Sequence, residues 1–281
     1  MILQDRGDHL LVIRQTDHAI LSGFLARQWG NECFRRPDMF ESFCLAAREH
    51  DNGWAEWELQ PRIDPKTRMP YTFMSIPTEE HIALYQQGID RIVRVDPYAG
   101  LLVSIHCAGL YDRARATLPG FSAKYVKSSE LQIVHECMLR LEAQQLRLKA
   151  DLRMNPATKS LAEEASLERS ARMLEALDRL SLYFCLCPPE DASIEAVPAN
   201  EEGGEVDWEL RVGADHNITL APYSFRRTPL SISILGRKVP KRLYGDQADF
   251  HRELSQSSYF ALQYTLKAGH AALSRRHSAV A

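Results

Sequence analysis

The 281-residue chain lacks several features that would place it in a large class at once. It has no apolar run approaching the roughly 20 residues that cross a bilayer, so no membrane partner is expected. It has no excess of one charge: 34 Lys and Arg against 37 Asp and Glu leave a net charge of −3. With a pI near 6.4, it does not have the strongly basic character of domains that bind nucleic-acid polymers. The six cysteines, Cys33, Cys44, Cys107, Cys137, Cys185 and Cys187, form no C-x-x-C pair. Cys185-Leu186-Cys187 has too short a spacer for an ordinary zinc site. Reduced, buried thiols are the expectation, as in a cytoplasmic protein. The opening residues Met1-Ile2-Leu3-Gln4-Asp5-Arg6 mix charge from the start and do not read as a secretory signal. Internal repeats and low-complexity tracts are also missing.

What is present is an ordinary globular composition, 45% hydrophobic and 25% charged, in a chain long enough for a substantial core. Apolar residues at helical spacing predict helices over 15–29, from Pro37 to Asp51, over 78–95, 97–112, 128–150 and 159–187. Thr16 or Asp17 is placed to cap the first, and Pro37 to open the second. Residues 58–78 carry four prolines and no period, and read as a long irregular loop, a candidate lid. Residues 9–13 read as a short strand or the lead into a helix. After Pro188-Pro189 the texture turns polar, so 188–205 reads as a connecting segment. Residues 206–212 and 216–220 suggest a hairpin and 230–235 a third strand. Residues 246–273 read as helix again, and the tail after Ser274 as frayed. The expected division is a helical region over 1–187 and a β appendage with a closing helix over 188–281, packed on the same body.

The stretch His50-Asp51-Asn52-Gly53-Trp54-Ala55-Glu56-Trp57 stands out. Adjacent imidazole and carboxylate suit iron, manganese, zinc and similar divalent ions. Further metal-capable side chains, His18, His81, His106 and Asp178, fall one each on four of the other five helices predicted over 1–187. A bundle can bring residues from separate helices to one point in its core. Asp178 is informative because a carboxylate within an apolar helix needs a partner if it is buried. Each residue also has a structural reading: His18 and His81 as exposed first-turn residues, His106 as a buried histidine bonded to a carbonyl, Asp178 as half of an ion pair.

The order His … His-Asp … His … His … Asp, all on helices, resembles the HD-domain superfamily of metal-dependent phosphohydrolases, over roughly residues 9 to 187. The His50–Trp57 stretch, the proline-rich loop and Pro222-Tyr223-Ser224-Phe225 also resemble a bacterial family of unknown function, whose shared motif is HD-[DN]-GW-x-EW. The superfamily resemblance implies a mainly α fold, an HD-like helical bundle with a small C-terminal antiparallel β element and closing helix. It implies that His18, His50, Asp51 and Asp178 ligate one metal. His81 and His106 would complete a second site with Asp51 bridging, and His50 and Asp51 would be catalytic. The implied cofactor is one or two divalent ions: Fe, Mn, Zn, Ni or Mg. The implied activity is hydrolysis of a phosphate ester or anhydride, such as a nucleotide. Another branch of the superfamily uses a mixed-valent di-iron centre as an oxygenase, and a non-catalytic ligand-binding protein is a third reading. For a phosphorylated small molecule the candidate contacts are Arg35, Arg36, Lys124 and Lys127, with Trp54 for stacking beside its ordinary packing role. A homo-oligomer stays open.

Overall fold

The computed structural model describes residues 1–111, 127–199 and 204–269. Two short strands open the chain, β1 (Ile2–Asp5) and β2 (His9–Ile13). Four helices follow: α1 (Gln15–Gln28), α2 (Phe40–Glu49), α3 (Thr78–Val95) and α4 (Pro97–Tyr111). Two long helices come next, α5 (Leu131–Met154) and α6 (Glu164–Leu186). Past Pro188-Pro189 lie β3 (Ala192–Pro198), β4 (Glu205–Val212), β5 (Asn217–Ala221), β6 (Leu230–Pro240), α7 (Gln247–Gln256) and β7 (Tyr259–Ala268).

The strands form one curled seven-stranded sheet in the order β1-β2-β6-β7-β5-β4-β3. Every pairing is antiparallel except β5 with β7. This corrects the expected fold class. The β part is not a small C-terminal element on a mainly helical bundle but a sheet that takes strands from both ends of the chain. The sheet needs that extent because it is a wall of the core. Alternate residues of β4 (Val206, Trp208, Leu210), β6 (Ile232, Ile234) and β7 (Leu262, Tyr264, Leu266) are buried in the same cluster as Trp29, Leu25 and Phe184 of the helical layer. Gln4 of β1 donates to the Cys185 carbonyl of α6 at 3.3 Å, tying the sheet edge to that helix. The opposite face of β2 and β6 is covered by α7, with Leu10, Val12, Val239, Tyr244 and Phe250 in a second small core.

The helices over 15–28, 78–95 and 97–111 match the expected spans closely. The continuous helix over 246–273 is overturned: α7 stops at Gln256 and the chain turns into β7. Leu262, Tyr264 and Leu266 are buried while Ala261 and Gln263 are exposed, a period of two that apolar content alone does not separate from a helix. β3 lies in the segment read as a connection, and β6 runs past Gly236 to Pro240. The strand runs on because residues 236–240 pair with β2 and β7, and a glycine fits at 236 because Ile13 Cγ1 and the Val12 carbonyl oxygen lie only 3.2 and 3.4 Å from where a Cβ would sit. Neither Thr16 nor Asp17 caps α1. Its N-cap residue is Arg14, with no side-chain cap, and the remote Glu58 carboxylate accepts from the Gln15 and Thr16 amides at 2.6 and 3.3 Å. Pro37 stands before α2, which begins at Phe40 after Met39 in the left-handed region. The tail after Ser274 lies outside the described residues.

Candidate metal centre

The His50–Trp57 stretch ends α2 and crosses to α3 through tight turns. Gly53 is required there: a Cβ would fall 1.9 Å from the Leu84 carbonyl oxygen. The facing Gly88 gives the same room from α3, with the Gly53 amide nitrogen 2.9 Å from its own notional Cβ. Asn52 locks the contact by donating to the carbonyls of Glu49 (2.7 Å) and Gly88 (3.2 Å). Arg91 of α3 reaches back to the Asn52 carbonyl at 3.1 Å. The motif is thus a joint that fixes where His50 and Asp51 point.

They point at α1, α4 and α6. His18, His50, Asp51, His81, His106 and Asp178 are all buried. Among the described residues, two donor groups could hold a metal ion: His18 with His50 and Asp51, and His50 with His106 and Asp178. His18 Nε2 lies 2.7 Å from Asp51 Oδ2, and His50 Nε2 lies 3.2 Å from Asp178 Oδ1 and 3.7 Å from Asp51 Oδ2. His106 Nε2 stands 3.8 Å from Asp178 Oδ2.

The hydrogen bonds on the far side of each ring decide which nitrogen faces inward. His50 Nδ1 lies 2.9 Å from the Ala47 carbonyl, which can only accept, so Nδ1 carries the proton. Ser181 donates its hydroxyl to the Asp178 carbonyl at 2.8 Å and so accepts from His18 Nδ1 at 2.9 Å. In the neutral rings both Nε2 lone pairs then face carboxylate oxygens. Lone pair against anion is repulsive in a buried site unless a cation or a proton lies between them, and this second-layer fixing of the tautomer is how ligand histidines are commonly held. His50 Nε2 has no hydrogen-bond partner, although it is fully buried. Two carboxylates among neutral imidazoles leave a charge of −2 in a dry interior, which matches a divalent cation.

Without a metal, protons must serve instead. Burial opposes charge on His50, but Asp51 and Asp178 outweigh it and hold the imidazole up at about 9. Burial likewise opposes charge on Asp51, yet His50 and His18, with the Tyr85 hydroxyl, hold its carboxyl well below the usual range. Asp178 is lowered in the same way, against burial, chiefly by His50. Burial pushes the His106 imidazole down.

Asp51 is positioned by two further donors, the Tyr85 hydroxyl at 2.7 Å and Gln15 Nε2 at 3.0 Å. Gln15, Tyr85 and Ser181 were not among the sequence candidates. Each lies three or four residues from a candidate on the same helix: Gln15 before His18, Tyr85 after His81, Ser181 after Asp178. That spacing was the available signal. His81 is buried beside the centre but outside both donor groups. Its Nδ1 meets the Tyr111 hydroxyl, and its ring lies 4.7 Å from that of Tyr85.

A cavity of about 30 Å³ adjoins the centre, bounded by His18, Asp51, His81, Tyr85, His106 and Asp178 on one side and by Phe73, Met74, Leu110 and Leu182 on the other. A second, about 40 Å³, lies between α4 and α6, where His106 and Asp178 meet Glu168, Arg172 and Glu175. Either has room for a water or an ion. Phe73 and Met74 bring the 58–78 segment to the first cavity.

The other substrate candidates lie elsewhere. Arg35 pairs with Asp38 at 3.4 Å, and Arg36 stacks on Phe40 at 4.6 Å. Neither lines a cavity at the centre. Lys127 is exposed ahead of α5, and Lys124 lies outside the described residues. Trp54 is buried against Trp57 and His81, at ring separations of 5.5 and 5.8 Å, and packs rather than lining the cavity. The six cysteines are unpaired, four buried and two exposed. No helix among the described residues is long and apolar enough to cross a membrane.

Residues 1–241 match the family described as "Protein of unknown function (DUF3891)". The chain belongs to this family. No curated protein and no solved structure matches it. Family membership therefore leaves the activity to be argued from the buried His/Asp groups.

Proposed function

We propose that this DUF3891 chain is a metal-dependent hydrolase of a phosphate ester or anhydride, with His18, His50, Asp51, His106 and Asp178 holding one or two divalent ions. The carrying observation is the convergence of two tautomer-fixed imidazole Nε2 atoms on two buried carboxylates, with His50 Nε2 beside both but aligned for a hydrogen bond with neither. A divalent ion held there would supply an activated water and charge neutralisation at a phosphoryl oxygen.

The chain's own residues do the rest. Asp51 is kept in one orientation by Tyr85 and Gln15, so the donor set is pre-organised rather than assembled on binding. His106 faces both cavities, and burial favours the neutral form that can donate a lone pair to an ion. Arg172 lines the α4–α6 cavity and presents a guanidinium there to an anionic group. It is held by Glu168 at 2.7 Å and by Glu205, so an anion would have to draw it from these carboxylates. Phe73, Met74, Leu110 and Leu182 keep water scarce on the other side.

The test is to strip the protein of metal, reload it separately with Mn²⁺, Zn²⁺, Ni²⁺, Mg²⁺ and Fe²⁺, and assay bis(p-nitrophenyl) phosphate and a panel of nucleotides. Turnover with at least one ion, lost in Asp51→Ala, supports the hydrolase. A second reading, a di-iron oxygenase on the same donors, is favoured by one observation: among the described residues no Lys or Arg lines the Phe73–Met74 cavity. Two bound irons, oxygen uptake and no phosphate release would select it.

A further inference from the structure

β7 is longer than its neighbour on one side. It pairs with β6 from Tyr259 to Leu266, but with β5 only from Thr265 to Ala268. Among the described residues nothing pairs with the β5 side of residues 259–264. The ladder ends where the Thr265 amide donates to the His216 carbonyl at 3.0 Å, and the chain before Asn217 turns away through Asp215 and His216, both with positive φ. Because Thr265 directs its amide to that side, the alternation of an antiparallel pair sends the N–H and C=O of Gln263, Ala261 and Tyr259 the same way.

Open edges of this kind are normally blunted by lysine, proline, a bulge or a cover. The segment Tyr259-Phe260-Ala261-Leu262-Gln263-Tyr264 has no charge and no proline, and its register with β6 is unbroken. Tyr259 is 61% exposed and Phe260 48%. Beside it runs a groove of about 970 Å³, whose lining includes Leu262, Ile218, Leu11, Pro188 and Pro189. Its lining carries the cations Arg6 and Lys238 and the imidazoles of His9 and His216, with the carboxylate of Asp215, while His9 is itself paired with Asp8 at 2.6 Å.

We propose that this edge receives an extended, acidic segment of a partner protein by strand addition. The three outward residues would supply the main-chain hydrogen bonds, and the groove would take alternate side chains. Arg6 and Lys238 would select for carboxylates. The proposal is independent of the metal chemistry, which uses none of these residues.

The test is selection from a displayed library of random decapeptides against the full chain, followed by titration of one enriched synthetic peptide. Ala261→Pro removes an outward N–H without touching the β6 ladder, and Lys238→Glu reverses an exposed rim charge. The expected result is enrichment of proline-free peptides with Asp or Glu at alternate positions. Affinity should fall about tenfold or more in each variant, as expected for lost main-chain and charged contacts, with metal content and circular dichroism unchanged. If Ala261→Pro does not fold, Gln263→Pro and Lys238→Glu carry the test. No enrichment, or peptides that bind the proline variants as well as the parent, would overturn the proposal. A dimer in sedimentation that Ala261→Pro dissolves would overturn it too, by giving the edge to a second copy.

Discussion

The two donor groups share His50 and differ in what surrounds them. In the first, the more enclosed of the two, His18 and Asp51 border only the smaller cavity and are held from behind: His18 is bonded to Ser181, Asp51 to Tyr85 and Gln15. In the second, His106 and Asp178 border both cavities, and the distance from imidazole to carboxylate is longer, 3.8 Å against 2.7 Å. The enclosed group has its geometry set by the fold. The open group leaves space for a further ligand. Under the proposed function the first group would hold an ion and the second would exchange a ligand, as a site needs if it must retain an ion and still admit a reactant.

The shared residue offers the strongest way to break this pairing. His50→Ala should take metal from both groups together, so elemental analysis should fall from its wild-type value to near zero. Retention of stoichiometric metal would remove the assignment. His106→Ala should act on the open group alone: turnover is lost, while ion retained in the enclosed group survives dialysis. Equal loss from both would mean that the groups are a single site. Ser181→Ala should loosen the tautomer of His18 and weaken metal binding by about 10- to 100-fold, whereas Ser181→Thr, which keeps the hydroxyl, should stay near wild type in competition with a chelator.

The smallest effect is on the pH dependence of folding. In the metal-free chain the folded His50 pKa is raised from 6.5 to about 9. Its contribution to stability is therefore full below pH 6.5 and is lost as pH rises through about 9. Denaturant melts of the metal-free chain should show that decline. The metal-loaded chain should not, because the ion replaces the proton. Identical profiles would place the ion elsewhere.

The candidate ligands were readable because helices carry their period locally. His18, His50-Asp51, His106 and Asp178 each lie on a predicted helix, and the structure brings these five into the two groups. His81 lies on the same helical layer yet outside both groups, because its ring is turned to Tyr111 and Tyr85. Arg35 and Arg36 were named for their charge, and their partners Asp38 and Phe40 lie within five residues of them. The sheet was harder to read. β1 is four residues long, β3 sits in a polar stretch, and β7 has enough apolar residues to fit a helix as well as a strand. Strand identity depends on partners, and here those partners are far away in the chain, as when His9 pairs with Pro240.

The sequence by itself determined the helix positions up to residue 186, the stop of α2 at Asn52-Gly53, and the placing of metal-capable side chains on separate helices, because these follow from local spacing and backbone sterics. Only the tertiary structure decided the seven-stranded sheet, the inward nitrogen of each histidine, and the division into an enclosed and an open donor group. Those depend on contacts such as Ser181 with His18, across 163 positions of chain, which no local pattern encodes.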